Sequence, residues 1–240
     1  MGQYKEDLFG AAYGKSQHPH QKENAPRLIS LSPSSLNLFL ECPRCFWLYL
    51  NKKIKRPGPP VATIATGLDR VIKNYFDQYR SKNILPPFLN GKIPGKLITN
   101  LPRKGWLDFI DAKYEARLGG YLDECIELND KCFAAFDHKT RGRAPDSIHK
   151  AYQLQMDVYT FLLEENKFPT RNTAYIVYYI PKTIIPELEF EFEVLVKEIT
   201  TDPKRAKSVF HEAMDTLRNP VPPINKDCEF CKWTATLEIR

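Results

Sequence analysis

An apolar run, Phe133 to Phe136, leads straight into Asp137-His138-Lys139-Thr140, with Gly120-Tyr121-Leu122-Asp123 a short way upstream. On a strand, successive side chains alternate sides, so Asp137 and Lys139 point one way and His138 the other. If Tyr121 to Leu128 is the preceding strand and pairs as a hairpin neighbour, the Asp123 carboxylate approaches that of Asp137. Two carboxylates and an ammonium among Leu122, Ile126, Phe133, Ala135 and Phe136 are costly to bury. A hard divalent cation between the oxygens compensates them directly. The competing reading is a plain ion pair of Asp137 with Lys139, the commoner fate of an isolated Asp-x-Lys. Further on, Gln155 and Tyr159 lie one helical turn apart on a single face. Tyr152 and Gln153 offer a second polar pair in the same segment.

Four of the six cysteines form matched pairs, Cys42-Pro-Arg-Cys45 and Cys228-Glu-Phe-Cys231. With no secretory signal at the start of the chain, paired Cys-x-x-Cys units suggest a metal rather than disulfides. A structural zinc and an iron–sulfur cluster each need four thiolates. The implied geometry is a clasp joining the first helix to the C-terminal tail. Cys125 and Cys132 fall on expected strands and read as small buried packing residues.

The elements that must carry these groups follow from periodicity and punctuation. Residues 1–27 are polar without an apolar period and read as a flexible leader, leaving 28–240 as one domain. Ser32-Pro33 starts a helix that is expected to continue through the first cysteine pair to Leu50, and Pro57-Gly58-Pro59-Pro60 closes the unit. A second helix is expected from about Ala62 to Arg80, on the stripe of Ile64, Leu68, Val71, Ile72, Tyr75 and Phe76. Residues 81–112 are rich in Pro and Gly and resist assignment. Strands are expected at Tyr114–Leu118, Tyr121–Leu128 and Cys132–Lys139, with Asn129-Asp130 as a turn. A helix over 147–165, a strand over 173–180, a half-wet strand over 188–196 and a helix from Thr201-Asp202-Pro203 to about Leu217 complete an α/β domain.

Composition narrows the function classes. Apolar residues make up 42% and charged residues 27%, which suits a packed core and excludes a disordered chain or a coiled coil. No apolar stretch is long enough to span a bilayer, so a cytoplasmic protein without a membrane partner is expected. A net charge of +6 permits polyanion binding without requiring it. Basic residues cluster at Arg44, Lys52, Lys53, Lys55 and Arg56, and again at Lys139, Arg141, Arg143 and Lys150.

The arrangement Gly-x-x-Asp, Asp-x-Lys-Thr and Gln-x-x-x-Tyr resembles the PD-(D/E)XK nuclease superfamily, in particular RecB-type domains such as those of AddB-like helicase-nuclease subunits and CRISPR adaptation exonucleases. It falls on Gly120 and Asp123, on Asp137, Lys139 and Thr140, and on Gln155 and Tyr159, and with the cysteines it spans roughly residues 30–235. The resemblance implies a restriction-endonuclease-like α/β core, a central mixed sheet flanked by helices. It also implies a metal-dependent DNA nuclease, an exonuclease or flap-type enzyme in repair, recombination or CRISPR spacer acquisition, with a helicase or integrase partner. Asp123, Asp137 and the main-chain carbonyl of His138 would hold Mg²⁺ or Mn²⁺, Lys139 would position the attacking water, and Gln155 and Tyr159 would contact phosphate. Arg141 and Arg143 would meet passing phosphates, and Tyr152, Trp47 or Trp106 could stack bases, although aromatics at such spacing are more often core.

Two departures stand out. Relatives often carry a histidine ligand after a Gly in the second helix, whereas Gly67-Leu68-Asp69-Arg70-Val71 has none, leaving Asp69 as a substitute. Iron–sulfur relatives usually divide their cysteines one and three, and this chain divides them two and two, so zinc and a 4Fe–4S cluster both stand. The alternatives to an active enzyme are a nucleic-acid-binding module on an inactive nuclease scaffold and a zinc-stabilised protein-interaction domain.

Overall fold

The computed structural model describes residues 28–58, 63–99, 101 and 105–237; the leader expected at 1–27 lies outside them. Ser32 caps the first helix, α1 (Pro33–Glu41), by accepting the Ser35 N–H at 3.4 Å, while its own N–H donates to Ser35 Oγ at 2.7 Å. The helix does not continue through the cysteines as expected. Cys42 is extended (φ −160°, ψ 102°) and the chain restarts as α2 (Pro43–Lys52), with the Cys42 sulfur accepting the Cys45 N–H at 3.5 Å. Pro43 is the reason: its ring disfavours helical backbone at the residue before it, but is well placed to open a new helix.

After α3 (Thr63–Arg80), the unassigned stretch 81–112 proves to hold a short 3₁₀ turn (Pro87–Leu89) and the strands β2 (Lys96–Leu97) and β3 (Trp106–Asp111). Two sheets follow. The smaller has the order β1-β4-β3, with β1 (Ile29–Leu31) parallel and β3 antiparallel to β4 (Ala116–Tyr121). The larger has the order β2-β5-β6-β7-β8, built from β5 (Glu124–Glu127), β6 (Phe133–Thr140), β7 (Thr173–Ile185) and β8 (Glu189–Thr200). Only β6 and β7 pair in parallel there, and α4 (Lys150–Glu165) makes the crossover that such a pair requires. His149 caps α4, its Nδ1 accepting the Ala151 N–H at 3.2 Å, so that helix starts later than residue 147. Asp202 caps α5 (Pro203–Arg218) through the Arg205 N–H at 2.9 Å, and the second cysteine pair opens a last helix, α6 (Glu229–Leu237).

Three further expectations are corrected. Tyr121 to Leu128 is not one strand: Leu122 N–H bonds Gly105 O at 3.0 Å, on the small-sheet side, whereas Glu124 pairs with Phe136 in the large sheet. Asp123 is therefore the bend residue between two sheets, not a strand residue. Cys132 precedes β6 and is half-buried, while Cys125 is buried as expected. The strand over 188–196 has more than one wet face near its start. The β7–β8 hairpin runs past the end of β6, leaving Leu188 and Phe190 exposed along with the glutamates.

The large sheet separates two apolar clusters. Ala135 faces α4, Leu154 and Val158 on one side; Ala134 and Phe136 face Phe76 of α3 on the other. Among the described residues no helix is long and apolar enough to cross a membrane.

Candidate active site

The alternation of β6 decides which side chains meet. Asp137 and Lys139 share the α4 side and form an ion pair, whereas His138 turns to the α3 side. There its Nδ1 is 3.0 Å from the Tyr179 hydroxyl, its ring packs edge-on against Phe76, and its Nε2 lies 3.7 Å from Glu124 Oε1, so the imidazole faces Glu124 from the opposite side of the sheet to the Asp137 carboxylate. From α4, Gln155 Nε2 donates to Asp137 Oδ1 at 2.9 Å and to the Tyr159 hydroxyl at 3.1 Å. Tyr159 can lie so close to β4 because residue 120 is glycine: a Cβ there would stand 2.9 Å from Tyr159 Cε1.

Asp123 reaches the same spot from the bend. Its Oδ2 accepts the His138 N–H at 3.3 Å, and its Oδ1 meets the Lys73 ammonium of α3 at 2.9 Å. Lys73 also pairs with Asp69 at 3.1 Å. Asp69, the candidate replacement for a histidine ligand, is thus tied to a lysine.

The carboxylates are compensated unequally. Asp137 is 2% exposed, and burial pushes its carboxyl up to about 6; the Lys139 ammonium opposes that rise and the charge of Asp123 adds to it. Its Oδ2 meets the Lys139 ammonium. Burial acts on Asp123 too, but the Lys73 charge and hydrogen bond outweigh it and hold that carboxyl below the usual range. Next door, buried Glu124 is gripped by the Arg80 guanidinium, with Nε donating at 2.8 Å.

Sequence reasoning missed Lys73, Glu124 and Arg80. The Asp69/Lys73 spacing of one turn was visible, but nothing local aims that lysine at Asp123. The remaining candidates scatter. Arg141 and Arg143 lie in the loop after β6, Arg143 exposed and the Arg141 N–H bonded to Tyr179 O at 3.1 Å. Tyr152 lies beneath the Lys139 ammonium at 4.9 Å, beside the acidic cluster. Trp47 donates to Asn219 O at 2.9 Å, and Trp106 packs on Tyr121 at 4.8 Å, so both serve the fold.

The cysteines converge from the two ends of the described chain. Cys42 and Cys231 sulfurs are 3.6 Å apart, Cys45 and Cys228 3.7 Å, and Cys45 and Cys231 3.9 Å; all four ligand atoms lie within 4.8 Å of one another. Arg56 donates to Cys228 Sγ at 3.4 Å and covers the Phe230 ring at 4.7 Å. Burial pushes the Cys45 thiol up to about 12, whereas at Cys228 burial is outweighed, chiefly by the Cys231 N–H, and the thiol falls to about 7. Four sulfurs this close can all be thiolates only with a cation among them.

A model of the PD-(D/E)XK nuclease superfamily matches residues 94–236, the stretch holding both aspartates, Lys139, Gln155, Tyr159 and the second cysteine pair. The chain belongs to that superfamily. Its fold is accordingly the restriction-endonuclease-like one, and membership in the superfamily supports a nuclease-type activity on nucleic acid. No curated protein matches the chain. Among solved structures it is similar to one described as "Crystal structure of SSO0001", at 15% identity over 90% of this chain and 87% of that one, with a TM-score of 0.47.

Proposed function

We infer that the chain is a metal-dependent DNA nuclease of the RecB type, acting from strand ends, with residues 28–240 as one catalytic domain. The observation that carries this is the convergence of Asp123, Asp137, Lys139 and Gln155 from a bend, a strand and a helix on one spot. The donor set suits the cation: carboxylate oxygens are hard ligands, and the buried Asp137 Oδ2 is met by the Lys139 ammonium alone. Asp123, Asp137 and the His138 carbonyl would hold Mg²⁺ or Mn²⁺. Such an ion supplies Lewis acidity toward a phosphoryl oxygen and acidifies water. Gln155 fixes the Asp137 carboxylate through Oδ1, leaving Oδ2 for the reacting side. Lys139 lies beside that oxygen and is placed to orient a water or to meet charge growing on the phosphate. Removing a preorganised donor of that kind typically costs about 3–4 kcal/mol of barrier. Arg141 and Arg143 give sequence-independent grip on the backbone.

The cysteine centre takes one zinc ion in this reading. Four thiolates around a tetrahedral ion at about 2.3 Å stand about 3.8 Å apart; three of the six separations are 3.6, 3.7 and 3.9 Å and all lie within 4.8 Å, which supports that arrangement. A cubane cluster inserts a cage of four irons and needs its sulfurs well beyond this spacing. Colourless protein with one equivalent of zinc is the expected result; a brown protein with four irons overturns it.

The deciding experiment is Mn²⁺-dependent degradation of single-stranded DNA labelled at either end. Asp137→Ala and Lys139→Ala should each abolish it while the circular dichroism spectrum is kept. Full activity in both variants removes the assignment, and wild-type protein that binds DNA without cutting it favours the inactive scaffold.

A further inference from the structure

Lys73 occupies the acidic cluster as a counter-ion would. Its Nζ bridges Asp69 Oδ2 at 3.1 Å and Asp123 Oδ1 at 2.9 Å, two oxygens brought together by the packing of α3 against β6 and the bend. An ammonium carries three N–H donors. Two meet these carboxylates, and the side chain is 39% exposed, with no third partner for the ammonium among the described residues.

Charge accounting at the site is uneven. Among the described residues the cluster joins three carboxylates, Asp69, Asp123 and Asp137, to two ammoniums, Lys73 and Lys139. Neighbouring Glu124 is paired with Arg80, which also holds the exposed Asp77, with His138 Nε2 at 3.7 Å beyond it. One negative charge is left over, and it falls on Asp69 and Asp123, which share Lys73, since Lys139 already pairs with Asp137. A single divalent ion converts that excess into one positive charge, which one phosphodiester neutralises. A second divalent ion would have to displace Lys73 from Asp123 or sit against it, at a cost set by like-charge repulsion at close range.

We propose that Lys73 stands in for a second metal ion: the site binds one divalent cation at Asp137 and Asp123, and Lys73 holds Asp123 while offering its free N–H to a phosphoryl oxygen. The proposal rests on the nuclease reading above. It differs from that reading in what it counts, since an active site of either stoichiometry would cut DNA.

The test counts Mn²⁺ bound to the full chain as purified, by electron paramagnetic resonance of free ion during titration, without nucleic acid. Wild type should bind one Mn²⁺. Lys73→Met, which frees Asp69 and Asp123, should bind two, and adding Asp69→Asn should return the count to one. Lys73→Arg, which keeps the charge, should bind one. Lys73→Gln serves in place of the Met variant if that protein does not fold. Two ions on wild-type protein that degrades DNA overturn the role of Lys73 and leave the nuclease reading standing. An unchanged count of one in Lys73→Met also overturns it. Wild type that binds no Mn²⁺ and degrades nothing overturns both.

Discussion

The two charged clusters of this protein are built on opposite terms. The acidic one uses carboxylates from a bend, a strand and one helix, three of them against two lysines. The cysteine one uses sulfur from α2 and α6 and from the residue directly before each, far apart in sequence, with Arg56 as the cation at its rim. Hard, exchangeable and strained toward a missing positive charge describes the first; soft, closed and fold-locking describes the second. A site that must admit water and phosphate keeps an unmet demand for charge. A site that only holds the chain together does not.

Asp137→Asn is the sharpest way to divide them. It should lower Mn²⁺-dependent DNA degradation by about 10³-fold or more, yet leave the melting temperature unchanged or slightly raised, because a costly buried charge is gone. A collapse in melting temperature would show that Asp137 holds the fold and would erase the contrast. Cys231→Ser should behave in reverse, losing the bound metal and about 3 kcal/mol of stability, or ~10 °C in melting temperature for a chain of this size. Calorimetry on both variants side by side reads this directly, and an unchanged melt for Cys231→Ser would end the case for a structural clasp.

Gly120→Ala probes how the first cluster is supported. The new methyl group meets the Tyr159 ring, and overpacking of that kind costs about 1–3 kcal/mol. Displaced Tyr159 no longer receives Gln155, so activity should fall roughly tenfold, about 1.4 kcal/mol of barrier; wild-type kinetics would show that the ring position is immaterial. The smallest effect belongs to Arg143→Ala. Loss of one phosphate contact should reduce the slope of log affinity against log salt by about 1 without changing sequence preference, and an unaltered slope would take Arg143 off the nucleic-acid path.

Much of this was readable before any coordinates. Strand alternation alone puts Asp137 and Lys139 on one side and His138 on the other, and a helical turn alone aligns Gln155 with Tyr159, because both relations are local. Sequence reasoning missed the break at Cys42: the apolar pattern on either side of Pro43 suggests one continuous helix, against the restriction that proline places on the residue before it. The bend at Asp123 was harder. Its residues look strand-like, and only the competition between two sheets for Leu122 and Glu124 takes Asp123 out of both. Lys73 carried no sign of its destination beyond an Asp one turn before it.

Residue order therefore determined which chemical groups exist, which neighbours share a face, and that four thiols come as two matched pairs. Periodicity and proline chemistry are properties of a few consecutive residues, and they survive without a fold. Tertiary packing decided how those groups are compensated: which lysine reaches Asp123, which oxygen of Asp137 meets Gln155, and how closely the four sulfurs approach. Charge balance and metal geometry depend on distances of a few ångströms between segments remote in sequence, and those distances are set only when the two sheets and their helices close on one another.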